Sequence, residues 1–479
     1  MPLRAKILNP GFSSQQKMSA SSLVIKEQDD DAPNDVLFSS TYGIRTIELN
    51  RPKELNALNG SMARKIIPRL REWEKSQMAN IIILKGVGRA LCAGGDVVKL
   101  AEFIKSEGPS GVEKAVEYFE LEYRLDHLIA TYPKPYVAFM DGVTMGGGVG
   151  LSVHAPFRIA TENTLFAMPE TTIGFFPDVG GSFFLPRLDG EIGTYLALTS
   201  EKLSGVQAFY SGLATHYIHS TSLPDLEARL AELVFGDYQP LEERWKIVDS
   251  TIEEFVTGLP EDTPIQLSGE IREAIDRCFK FNTIEQILEA LTQEDSDWSR
   301  KALETIETRS PTSVRVTLRQ LRAGKEWTIS GTFQRELHMA VKFLEGKDFV
   351  EGVDALLIRK TKDPKWDPPT LESSNESVTD PYFTMEGDRP RLQLLRDESD
   401  ASFVDYRQYP HARIGLPSEA EVRQLIRERK MLPDNIIPYL VEDRNGKIGL
   451  VEKVRDIIDR KVSTGVDRAI WKEESVESG

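Results

Sequence analysis

The stretch that decides the fold is 141-DGVTMGGGVGLSVHAPFRIATENTLFAMPETTIGFFPDVGG-181. Gly146, Gly147 and Gly148 follow a β-rich run and open an apolar segment of helical character. Bare backbone N–H groups therefore gather at a helix N-terminus, a place that holds an anion or an oxyanion. Two carboxylates, Glu170 and Asp178, follow in apolar sequence punctuated by Pro and Gly rather than on a charged helical face. Carboxylates in such surroundings are candidates for chemistry.

Working outward, the strand PYVAFMDG feeds the triple glycine, and an earlier strand, IIILKG, feeds a second glycine loop, 88-GRALCAGGD-96. The runs VLFSS and GIRTIELN, from Val36, read as two strands around Tyr42-Gly43. Met62, Ile66, Leu70 and Trp73 share one face of a helix over Ser61 to Lys75, with Ser61 as its N-cap. Another helix covers Val112 to Ile129 and stops at Pro133 and Pro135. Strand, loop and helix thus recur, which predicts an α/β chain of repeated turns. From about Leu185 helical periodicity takes over, and Ser310-Pro311 has the N-cap and N1 chemistry of a helix through Arg322. Residues 370–400 are rich in Pro, Ser and acids and read as a linker. Beyond it, Ser418-Glu419-Ala420-Glu421 predicts a capping box, and Ile448, Val451, Val454 and Ile458 give a second helical stripe.

Composition excludes several function classes. The chain has 479 residues and a formal net charge of −16, which argues against general affinity for nucleic acid. No run approaches the roughly 20 apolar residues that span a bilayer. Cys92 and Cys278 are far apart and the six histidines are scattered, so no metal site is expected. The leader carries Arg4, Lys6, Lys17 and Lys26 with no acid before Glu27, the composition of a mitochondrial transit peptide.

Backbone donors converging from two such loops make an oxyanion hole for an ester or thioester carbonyl. Taken with ELNRPKELNALN (Glu48 to Asn59), GRALCAGGD, DGVTMGGGVGLS and FAMPETTIGFFPDVGG, they give the chain a family resemblance over about Leu37 to Pro369. It resembles the crotonase, or enoyl-CoA hydratase/isomerase, superfamily, and within it the 3-hydroxyisobutyryl-CoA hydrolase branch. The resemblance implies an α/β fold: a crotonase-like ββα spiral core over 35–185 and a helical region over 186–369 that completes it. The linker over 370–400 and an extra C-terminal helical appendage over 401–479 depart from the family pattern. Residues 1–34 are the expected leader.

The resemblance also implies a site. Gly95 and Gly147 would supply the oxyanion hole, Glu170 and Asp178 the acid and base chemistry, and Glu122, Gly146, Gly94 and Arg89 contacts to substrate. Coenzyme A would enter as part of the substrate, with no separate cofactor. A hydratase carries a second glutamate at the position of Gly150. With glycine there, hydration loses an acid/base partner and thioester hydrolysis is the expected reaction. Glu170 either attacks the carbonyl or activates a water. Cys92, His127 and His154 read as core residues. Relatives of this branch in fungal mitochondria resemble components of the small ribosomal subunit. The tail with Arg423, Arg427, Arg429 and Lys430 would then dock on that partner, in the mitochondrial matrix.

Overall fold

The computed structural model describes residues 23–472 apart from 237, 261–262, 386–390, 398–399, 401–402 and 466–467. Most of the expected leader lies outside this range.

The chain winds as a spiral in which successive turns add one strand to each of two sheets. Strands β1 (Val36–Thr41) and β2 (Ile44–Leu49) form a hairpin, followed by β3 (Ile81–Gly86), β4 (Ala90–Cys92), β5 (Tyr136–Met140) and β6 (Val143–Met145). Then come β7 (Phe157–Ala160), β8 (Leu165–Ala167), β9 (Leu203–Ser204) and β10 (His216–Tyr217). One sheet runs β1-β2-β3-β5-β7-β10 and the other β4-β6-β8-β9. The pairs between β2, β3, β5, β7 and β10 are parallel. Parallel strands are covered on both faces, which is why IIIL in β3 and YVAFM in β5 are wholly apolar and buried. Alternate residues go to opposite sides: Ile82 and Leu84 join the main core, and Ile81 and Ile83 a smaller cluster beneath the helices Leu223–Ala231 and Leu241–Glu253.

The first helix spans Gly60–Lys75, and its cap is not Ser61. Asn59 accepts the Met62 N–H, whereas Ser61 lies inside the helix and donates to Asp35. The helix Pro109–Ala130 packs against Ile329–Glu345, and Ser310 caps Pro311–Gly324 as its sequence predicts.

Residues 370–400 do more than connect. Leu392 and Arg396 are buried there, Arg396 meeting the Thr131 carbonyl and Asp400. Their polar neighbours masked this in the sequence. The tail carries helices Glu419–Arg429, Pro433–Asp443 and Leu450–Lys461 and a small antiparallel pair, β11 (Val462–Thr464) and β12 (Ala469–Trp471). Val422, Ile426, Ile436, Leu440, Val454 and Ile457 belong to the same hydrophobic cluster as the spiral core. Half of the expected capping box forms: Ser418 accepts the Glu421 N–H, while the Glu421 carboxylate turns to Arg444. Among the described residues no helix is long and apolar enough to cross a membrane.

Candidate active site

Both glycine loops end at the same place. Leu58 bridges the first loop, its N–H bonding the Gly94 carbonyl at 2.8 Å and its carbonyl taking the Asp96 N–H at 2.8 Å. Gly95 between them is the residue paired with Leu58, and its own N–H takes no part in these two bonds. Its nitrogen lies 3.3 Å from where a Cβ of Gly147 would stand. Gly147 begins the helix Gly147–Val153, so its N–H has no intrahelical partner. The two donors expected of an oxyanion hole thus meet.

Side chains at these glycines would close the site. A Cβ at Gly146 would stand 3.0 Å from Glu170 Oε1 and 3.4 Å from the Gly94 Cα, and one at Gly147 would collide with Glu122 Oε1. Glu170, at the start of a short 3-10 turn, Asp178 and Glu122 are all buried. Glu170 Oε2 and Glu122 Oε1 have no protein hydrogen-bond partner. Tyr123 donates to Asp178 Oδ2 at 2.7 Å. Arg89 stands exposed between β3 and β4, outside this buried set.

Sequence reasoning missed a fourth acid. Asp126 follows Glu122 by one helical turn, is fully buried, and neither carboxyl oxygen has a protein partner. A Cβ at Gly150 would come within 2.6 Å of Asp126 Oδ2 and 2.7 Å of the Val179 Cβ. The space beside Gly150 is therefore filled by a carboxyl from another helix. The available signal was the i, i+4 spacing from Glu122, which puts Asp126 on the helix face of the apolar Phe119 and Ile129.

Among the described residues no cation offsets these acids. Burial, with Asp178 nearby, holds Glu122 and Glu170 well above the usual carboxylate range; burial, with Glu122 nearby, does the same for Asp126. Burial pushes Asp178 up to about 7, the Tyr123 hydroxyl pulling the other way. Glu336, which accepts the Gly180 and Ser182 N–H groups at 2.7 and 2.8 Å, is raised by burial to about 8. Burial and like charge thus favour the protonated form across the set, an environment of the kind that acid and base chemistry uses. Cys92 is buried and its thiol pushed up to about 12, so it is no nucleophile.

Elsewhere, His216, Asp249 and Glu253 bring ligand atoms within 4.8 Å of one another. The Lys447 ammonium pairs with Glu253 and lies 3.1 Å from His216 Nε2, filling that space with a cation of the chain's own.

Relatives bear on this geometry. The chain is 52% identical, over 99% of its length and 94% of the relative's, to small ribosomal subunit protein mS47 of Neurospora crassa. It is 44% identical to the mitochondrial 3-hydroxyisobutyryl-CoA hydrolase of Gallus gallus, over 74% of this chain and 89% of that one. A solved carnitinyl-CoA dehydratase from Mycobacterium thermoresistibile superposes with a TM-score of 0.66 at 35% identity, covering 75% of this chain and 98% of the other. With a spiral core, two glycine loops that meet at Gly95 and Gly147, and a family profile matching residues 44–383, this chain belongs to the enoyl-CoA hydratase/isomerase family.

Proposed function

We propose that the chain hydrolyses the thioester of 3-hydroxyisobutyryl-CoA to 3-hydroxyisobutyrate and coenzyme A, a step of valine catabolism, in the mitochondrial matrix. One observation carries this reading: Glu170 and Asp178 are buried about the Gly95 and Gly147 donors while position 150 offers no side chain. A thioester carbonyl placed against the Gly95 and Gly147 N–H groups would develop its negative charge where donors already point. Glu170, once ionised, attacks the carbonyl carbon, and the C–S bond breaks to release the thiolate of coenzyme A. Water then opens the resulting mixed anhydride, and Glu170 is regenerated. In the second route Glu170 takes a proton from water, which attacks directly. In either route Asp178, held by Tyr123, receives the proton or orients the acyl hydroxyl. Glu122, one wall of this space, serves the acyl group.

The test is turnover of 3-hydroxyisobutyryl-CoA by the purified chain and its loss in Glu170→Gln, by a factor of about 10²–10⁴, with an unchanged melting curve. Full turnover in the variant refutes the assignment. Single turnovers in heavy-oxygen water separate the routes: label entering Glu170 supports the anhydride, and label confined to the released acid supports direct attack.

A second reading concerns assembly. The Neurospora crassa relative matches through the tail, whereas the Gallus gallus hydrolase matches only 74% of the chain. This supports a place in the mitochondrial small ribosomal subunit, compatible with an intact site. Co-sedimentation with that subunit after a salt wash is the expected result, and migration only as a free protein counts against it.

A further inference from the structure

The turn that carries Asp178 is held from several sides. Val179, directly after Asp178, has φ +51°, a left-handed conformation that a β-branched residue keeps only where its surroundings impose it. Gln320 Nε2 donates to the Pro177 carbonyl at 2.7 Å, and Glu336 takes the N–H groups of Gly180 and Ser182. A further tie is at Val179 itself, whose carbonyl lies 2.8 Å from His154 Nε2. A carbonyl only accepts, so Nε2 must carry the imidazole proton. The other ring nitrogen, Nδ1, is then an acceptor, and the hydroxyl 2.7 Å from it belongs to Tyr409.

Tyr409 lies beyond residue 383, where the family match ends. Its stretch of chain is fastened on both sides: the Tyr406 carbonyl takes the Ile329 N–H at 3.0 Å, the Tyr406 hydroxyl donates to the Ala130 carbonyl at 2.8 Å, and the Arg407 carbonyl accepts from Arg187 Nε at 2.9 Å. The ring of Tyr409 packs edge-on against Phe183, 5.0 Å between centroids. The imidazole of His154 lies so close to Gly180 that any Cβ there would collide with it.

We propose that Tyr409 of the C-terminal extension is a positioning residue for the turn bearing Asp178, acting through His154. Its hydroxyl donates to Nδ1 while Nε2–H is held by the Val179 carbonyl, so the ring is anchored at both nitrogens. Without that hydroxyl Nδ1 is left buried and unpaired, the ring keeps one anchor of two, and its hold on the Val179 carbonyl and the turn loosens. The extension is thereby two hydrogen bonds away from Val179, the residue next to Asp178. The catalytic consequence rests on the hydrolase reading above; the tether itself does not.

Three measurements on the full chain test it. In a ¹⁵N-histidine spectrum of the native protein His154 is expected as the neutral Nε2–H tautomer, and finding Nδ1–H overturns the proposal. Tyr409→Phe keeps the ring and removes one hydroxyl. It should lower kcat for thioester hydrolysis about tenfold, leave KM within about twofold, and speed amide exchange at Gly180 and Ser182 about tenfold. Tyr406→Phe loses a hydroxyl of the same segment that does not reach the turn, and should change none of these. Unchanged kcat in Tyr409→Phe, or an equal loss in both variants, overturns the proposal. If the native chain does not hydrolyse the thioester, the functional reading fails, and exchange decides the tether: faster at Gly180 and Ser182 upholds it, unchanged rejects it.

Discussion

Around Glu419 buried acids face buried arginines, and around Asp126 buried acids face one another. In the first region Glu419 lies 3.2 Å from Arg272 and 2.8 Å from Arg460, which also reach Asp276 and Asp456, and Lys453 lies 2.6 Å from Asp189. Burial pushes Asp189 up, yet Lys453 and the Glu419 N–H outweigh it and hold the group below the usual range. In the second region burial outweighs the Tyr123 hydrogen bond at Asp178, which stands near 7, and like charge adds to burial at Glu122, Asp126 and Glu170. Equal burial with opposite pairing separates the two tasks. The paired network fastens the tail to the core, and the unpaired cluster keeps protons where chemistry can use them.

The difference can be broken at several points. Gly150→Glu would force a further carboxyl into the space of Asp126 and Val179, and should cost more than about 4 kcal/mol, measured by urea unfolding. Gly150→Glu with Asp126→Gly should recover part of it, because the carboxyl is cleared and the number of acids restored while the Val179 Cβ still crowds position 150. Failure to recover would mean that Asp126 is not what fills that space. Glu419→Leu leaves two buried arginines short of a partner and should destabilise by about 3–5 kcal/mol. A neutral result would show the network to be dispensable.

Asp126→Asn has the opposite sign. An acid whose pKa rises on folding takes up a proton as the chain folds, so its contribution to stability falls as pH rises above its unfolded value of about 3.9. Removing it should stabilise the fold by about 1–3 kcal/mol at pH 8, with the gain shrinking toward pH 4. Destabilisation at pH 8 would place an unrecognised cation beside Asp126. The smallest effect belongs to the tail's outer edge: Ser418→Ala removes a cap and should cost about 1 kcal/mol in thermal unfolding.

Much of the core was legible because its signals are local. Apolar β-branched runs announced β3 and β5, and glycines at the turns announced both loops. Glu170 and Asp178 stood out because a carboxylate next to proline in an apolar run has no ordinary helical use. What remained hidden depends on partners distant in sequence. Asp126 gains meaning only beside Gly150, His154 only through Tyr409, and Arg396 only where the fold places it against Thr131. The Ser61 cap went to Asn59 because both residues suit the role and only the backbone chooses. The helix Pro433–Asp443 escaped notice because Pro438 interrupts its pattern.

The unpaired acids also alter what the molecule looks like from outside. The formal charge of −16 counts every carboxyl as ionised. Each proton that Glu122, Asp126 or Glu170 retains in the interior makes the native protein one unit less negative than that sum. Burial holds His127, His154 and His411 below the usual imidazole range, so each gives up a proton on folding at acidic pH, and the gap between native isoelectric focusing and focusing in urea reads out the net of protons captured by the acids and lost by these rings.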